Sequence, residues 1–180
     1  MGHWNRGFEL LRAQRIHVAP GLTAAELAQA EERFQFRFPP DLAEFLREGL
    51  PTGDGFPRWR TLDATLSRQF GWPLEGMLFD VECNGFWVDE WGERPEDLEA
   101  AKRIATEAVR AAPVLVPVYA HRYLPAEPLE AGNPVISVHQ TDIICYGHDL
   151  ASYFEAEWGV GYQAAVRHEL CRPIRFWPVG

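Results

Sequence analysis

The residues of this chain best suited to chemistry are His139, Asp142, His148 and Asp149, imidazoles and carboxylates that can share a divalent metal or pair as base and orienter. Their spacing matches no metal-ligand motif. Asp142 stands in a short connection between apolar runs and Asp149 stands before a helical pattern, so turn and cap roles are the competing reading. If Val135–Val138 and Ile143–Tyr146 form a hairpin, His139 lies at one strand end and His148 just past the other, and the two can approach at the open end. A small metal-assisted hydrolase using His139 and His148 is the catalytic alternative. Other catalytic patterns are missing: Ser67, Ser137 and Ser152 lack a nucleophile elbow, and Gly53-Asp54-Gly55 is turn punctuation without a lysine-bearing phosphate loop.

Two further clusters suit binding. His121-Arg122-Tyr123-Leu124-Pro125 is expected to leave a central strand and enter a proline-rich loop, where Arg122 can engage a carboxylate and Tyr123 can give rigid contact area. The stretch holding Asp80, Glu82, Asn84, Phe86, Trp87, Asp89, Glu90, Trp91, Glu93 and Arg94 interleaves acids with large aromatics. Such a surface suits a cationic protein, since rings give buried area and carboxylates give steering and register. The same alternation fits a half-buried strand with acids outward.

Composition narrows the classes. The 180 residues are 47% hydrophobic, enough for one sizeable core, so a single domain is expected over 1–180. A net charge of −9 disfavours a duplex nucleic-acid binder and favours a basic partner. Lys102 is the only lysine, which leaves almost no scope for Schiff-base chemistry. Cys83, Cys145 and Cys171 are widely spaced without a Cys-x-x-Cys pair, so free thiols are expected rather than a disulfide framework or structural zinc. No apolar run is long enough for a membrane span and Met1-Gly2-His3-Trp4 opens no signal-peptide core, so a cytoplasmic protein is expected, with no membrane partner and no cofactor.

The positioning elements follow from caps and periodicity. A first helix within Trp4–Gln14 reads as an N-terminal extension over 1–21. Thr23 and Glu26 stand in capping-box spacing, with Leu22 and Leu27 able to close a hydrophobic staple. After Phe34, Phe36 and Phe38, Pro39-Pro40-Asp41 opens a helix whose apolar face is Leu42, Phe45 and Leu46, and Gly49 ends it. Phe56–Leu62 reads as extended, Asp63 caps a short helix to Phe70, and Gly71-Trp72-Pro73 is expected to break it before a strand at Met77–Val81. A longer helix follows Asp97, with Ala101 and Ala105 inward. Strands are expected at Val114–Tyr119, Val135–Val138 and Ile143–Tyr146, then an Asp149-capped helix ended by Gly159. The tail over 159–180 alternates Ile174 and Phe176 with Arg175 and Trp177, as an edge strand or a cover for an exposed face.

The words Phe38-Pro39-Pro40-Asp41-Leu42-Ala43-Glu44-Phe45-Leu46, with Val114–Val118, Asn133-Pro134-Val135 and Asp149–Trp158, resemble the SUKH superfamily over 22–158. This superfamily includes fungal cell-wall assembly regulators and bacterial immunity proteins. The chain departs from the usual pattern in carrying Gly49–Gly55 where an Asn-Gly pair is common, and in a longer stretch from Phe56 to Gly92. The resemblance implies an α+β fold, a twisted, mainly antiparallel sheet with helices beside it, and a protein that binds and neutralises a toxin rather than catalysing a reaction. The resulting expectation is a non-enzymatic protein-binding domain, an immunity-type antitoxin that occludes a basic toxin domain. Its partner-binding residues would be Asp80, Glu82, Asn84, Trp87, Asp89, Glu90, Trp91, Arg94, His121, Arg122 and Tyr123. A scaffold or regulator without toxin neutralisation is the remaining class.

Overall fold

Four helices are started by side chains that the sequence places at their first turns. In a computed structural model describing residues 4–178, α2 (Ala24–Phe34) begins where Thr23 Oγ1 accepts from the Glu26 amide at 3.2 Å and Glu26 accepts from the Thr23 amide at 2.7 Å. Asp63, Asp97 and Asp149 accept from first-turn amides of the helices Ala64–Cys83, Leu98–Ala111 and Leu150–Trp158.

In chain order, α1 (Asn5–Ala13), β1 (His17–Ala19), α2, α3 (Pro40–Glu48) and β2 (Leu50–Thr52) come first, with β1 and β2 paired antiparallel. Then follow α4 (Ala64–Cys83), a 3₁₀ turn at Asp89–Trp91 and α5 (Leu98–Ala111). The main sheet is the antiparallel meander β3 (Leu115–Tyr119), β4 (Arg122–Pro125), β5 (Val135–His139) and β6 (Asp142–Gly147). It is followed by α6 (Leu150–Trp158), α7 (Tyr162–Ala165) and a 3₁₀ turn at His168–Leu170. The chain is thus a single α+β fold, as the sequence implies.

Both faces of the main sheet are covered, so its strands are apolar on alternate residues in both directions. Val116, Val118, Leu124 and Val135 meet a core built from α1, α2, α3 and α6, where Phe8 stacks on Phe45 at 4.8 Å and Phe45 meets Phe154 at the same distance. Leu115, Tyr123, Ile136, Val138 and Ile143 meet Met77 of α4 and Ile174 and Trp177 of the C-terminal segment. Ala101 and Ala105 of α5 are fully buried beside Val81, small residues that let α5 lie close to α4. The helix α1 is part of the core: Leu11 is fully buried, and Arg6 donates to Glu155 of α6 at 2.7 Å. Gly49 is extended, not left-handed; a Cβ there would stand 2.8 Å from Val18 and 2.9 Å from Phe8.

Several expectations are corrected. Met77–Val81 is helical, because α4 runs through Gly71-Trp72-Pro73 without ending. Phe56–Leu62 forms turns and Asn84–Trp91 a loop closed by a 3₁₀ turn, so neither is extended as a strand. Arg122–Pro125 is a strand paired with β3 and β5, where a loop was expected. Among the described residues the C-terminal segment adds no strand; it lies over the sheet, with the Trp177 indole donating to Pro113 O at 2.8 Å. Cys145 and Cys171 form a disulfide 26 residues apart, correcting the expectation of free thiols, and Cys83 alone remains free. Chain folding brings the pair together, and sequence spacing carries no sign of it.

Candidate functional site

The imidazoles do not converge. His139 pairs with Asp142 at the β5–β6 turn, whereas His148 follows Gly147, which pairs with Val135 at the opposite end of the hairpin. About four residue steps of roughly 3.3 Å separate the two ends. Asp149 caps α6, His148 Nδ1 accepts from the Arg167 amide at 3.4 Å, and no group of three or more His, Cys, Asp or Glu among the described residues is placed to hold a metal.

The second cluster divides across the sheet, since neighbouring strand residues face opposite ways. Tyr123 is 1% exposed and donates its hydroxyl to Gln69 O at 2.9 Å, so it offers no contact surface; this corrects its assignment to a partner-binding face. Arg122 also turns inward. It pairs with Glu157 of α6 at 3.1 Å, donates to Ser137 Oγ at 2.9 Å and lies 3.8 Å from the Tyr146 ring centroid. Its guanidinium holds α6 to the sheet and is not available to a partner's carboxylate. His121 touches Arg122 and borders a hollow of about 410 Å³ with Thr65, Arg68, Gln69 and Trp72. Burial, with the positive charges of Arg122 and His139, holds its pKa below the usual histidine value.

The third cluster is folded as a braced loop. Asp80 is 4% exposed and accepts from the Thr141 hydroxyl at 2.6 Å, the Thr141 amide at 3.0 Å and the Asn84 amide group at 2.5 Å. Burial raises its pKa, but these hydrogen bonds and the nearby His139 outweigh burial and hold the carboxyl below its usual value. Asp80 is therefore an internal anchor, correcting its place among exposed partner-binding acids, and Asn84 serves the same anchor. Arg94 closes the loop by donating to Val81 O at 2.9 Å, and the Trp87 indole donates to Gly92 O at 2.7 Å. Glu82 pairs with Lys102 at 2.5 Å. Asp89, Glu90 and Glu93 remain exposed, with no ion pair or side-chain hydrogen bond among the described residues.

Beside this loop runs a groove of about 520 Å³. It is lined by Phe86, Val88, Glu90 and Trp91 of the loop, by Met77 of α4 with Thr141 and Ile143 of the β5–β6 hairpin, and by Ile174, Phe176, Trp177 and Pro178 of the C-terminal segment. The sequence does not mark the C-terminal segment as part of a site; the alternating Ile174 and Phe176 are its one visible sign. The fold does not unite the whole expected surface: Glu90 and Trp91 border the groove, whereas His121 borders the separate hollow.

No protein-family model, curated protein or solved structure matches this chain. No helix among the described residues is long and apolar enough to cross a membrane.

Proposed function

We propose that this chain is a non-enzymatic protein-binding domain of SUKH type, an immunity-type antitoxin that occludes a basic toxin domain. The observation that carries the reading is the braced loop: it holds the unpaired carboxylates of Asp89, Glu90 and Glu93 beside the half-buried rings of Trp87 and Trp91. Aromatic area beside unpaired negative charge suits a cationic protein surface, the rings giving contact and the acids giving approach and register. The net charge of −9 acts in the same direction over longer range. Occlusion requires only complementarity of shape and charge.

Cytoplasmic residence belongs to the proposal, because an immunity protein acts where its toxin domain acts. In that reducing compartment the thiol forms of Cys145 and Cys171 would be favoured, and alkylation of protein in intact cells would read the state directly.

The test is binding of the purified chain to each toxin candidate encoded beside its gene, with inhibition of toxin activity as second readout. One candidate bound and inhibited at a one-to-one ratio is the expected result. Failure across a complete neighbourhood set overturns the reading.

A further inference from the structure

We infer that the groove between the Asp89–Trp91 turn and the C-terminal segment receives a cationic side chain, an arginine or lysine of the partner, held by aromatic walls and the Glu90 carboxylate. This rests on the protein-binding reading above and names the chemistry of its contact.

The walls are rings set in two crossed directions. Phe86 meets Trp91 at 77°, Trp91 lies nearly parallel to Phe176 at 14°, and Phe176 meets Trp177 at 86°. These rings line the groove together, and the face of an aromatic ring carries the negative part of the quadrupole that attracts cations. The positive indole N–H of Trp177 is engaged by Pro113 O. Phe176 is held at φ 71°, a backbone conformation unfavourable for a bulky residue, so the fold keeps its ring in this wall at the expense of local strain.

The polar lining is acceptor in character. Glu90 is the only charged residue among the described residues lining the groove, and Lys, Arg and His are missing from that set. The Thr141 hydroxyl donates its proton to Asp80 at 2.6 Å, which leaves its lone pairs as acceptors. Negative charge therefore stands in two places, at the rim on Glu90 and behind Thr141 on the buried Asp80. A neutral apolar side chain would use the rings alone. An arginine or lysine uses the rings, its apolar stem against Ile143 and Ile174, and the carboxylate together. The volume of about 520 Å³ accepts one long side chain with its flanking residues.

The probes are N-acetyl-arginine amide and N-acetyl-lysine amide, compared with N-acetyl-citrulline amide, which keeps the size and planarity of arginine without its charge. They are titrated into the full chain while NMR signals of Trp91, Phe176 and the Trp177 indole N–H are followed. Saturable shifts for the two cations, with citrulline weaker by about fivefold or more, are expected for a cation–π site. Glu90→Gln, an exposed position, should weaken the cations while leaving the melting temperature unchanged. Phe176→Ala should weaken them too, with the Trp177 indole signal retained as proof that the segment is still seated. Equal binding of citrulline, shifts that do not saturate, or full binding by Glu90→Gln would overturn the inference. If a toxin is found and both variants bind it with unchanged affinity, the groove inference falls and the proposed function stands. If the cations bind as expected but no neighbouring toxin does, the groove stands and the toxin reading falls.

Discussion

The hydroxyl of Tyr123 donates to the carbonyl of Gln69 at 2.9 Å, and this carbonyl lies four residues before Pro73, which has no N–H to offer it. A proline inside a helix removes one ladder bond and ordinarily kinks or ends the helix. Here a phenol from β4 supplies the missing donor, and α4 continues to Cys83. Tyr123→Phe should therefore cost about 1–2 kcal/mol, the cost of a buried acceptor left without its donor. In a Pro73→Ala background the helix regains its own N–H, and the same change should cost about 1 kcal/mol less. Urea denaturation of the four proteins gives the coupling, and equal costs in both backgrounds would refute the relationship.

Asp80 joins the same helix to the β5–β6 turn, one helical turn after Gly76, where a Cβ would stand 2.8 Å from the Gln140 backbone. Asp80→Ala strands the Thr141 amide and hydroxyl and should destabilise by about 2–3 kcal/mol, since hydrogen bonds to a charged group are the stronger kind. Gly76→Ala should also destabilise, by pressing the turn away from α4.

Acid should act on stability in two windows. His121 has a lowered pKa, so the unfolded chain binds the proton more readily; stability is full above about pH 6.5 and falls as the pH drops through that unfolded value towards the folded one. Asp80 is lowered as well, so its contribution is present above about pH 3.9 and is lost as the pH falls through its folded value. Equilibrium unfolding across pH should show both declines. His121→Gln should remove the upper one, and Asp80→Asn should reduce the lower one.

Arg122 and Glu157 form an ion pair whose side chains are 11% and 18% exposed. Arg122→Met leaves the Glu157 charge inside the protein without its partner and should cost about 3 kcal/mol. The double change Arg122→Met with Glu157→Met removes the stranded charge and should cost less than the single change. A double variant less stable than Arg122→Met alone would contradict this account.

The Cys145–Cys171 bond closes a loop of 26 residues that includes α6 and α7. Loop entropy gives it about 3 kcal/mol of stabilisation. Reductant should lower the urea midpoint of the native chain, Cys171→Ser should match the reduced protein, and reductant should not shift that variant further.

The helix starts were legible because a cap and its amides lie within three residues of one another, as Thr23 with Glu26 and Asp149 with Ser152 show. The β5–β6 hairpin was legible for a related reason: two apolar runs flank a connection of two or three residues. The continuity of α4 was not, because Gly71 and Pro73 are local stop signals and the compensating groups, Tyr123 and the Gln140–Thr141 turn, lie about 50 or more residues away. A helix broken at Pro73 would place Asp80 on a strand and expose it, whereas the continuous α4 buries it. A loop at 122–125 would expose Tyr123, whereas a strand paired on both sides buries it. Both assignments depended on burial, which is set by distant packing.

By itself the sequence determined a mixture of helices and strands, most helix beginnings, the strands β3, β5 and β6, and the acidic, aromatic character of the loop before α5, because each depends on short-range geometry or on residue type. Only the tertiary structure decided which acids stay outside, that His139 and His148 sit at opposite ends of a hairpin, that Cys145 meets Cys171, and that Phe176 and Trp177 complete a groove with Glu90 and Trp91. These depend on contacts between residues far apart in the chain, and their free energy comes from burying apolar surface and satisfying polar groups together once the elements have packed.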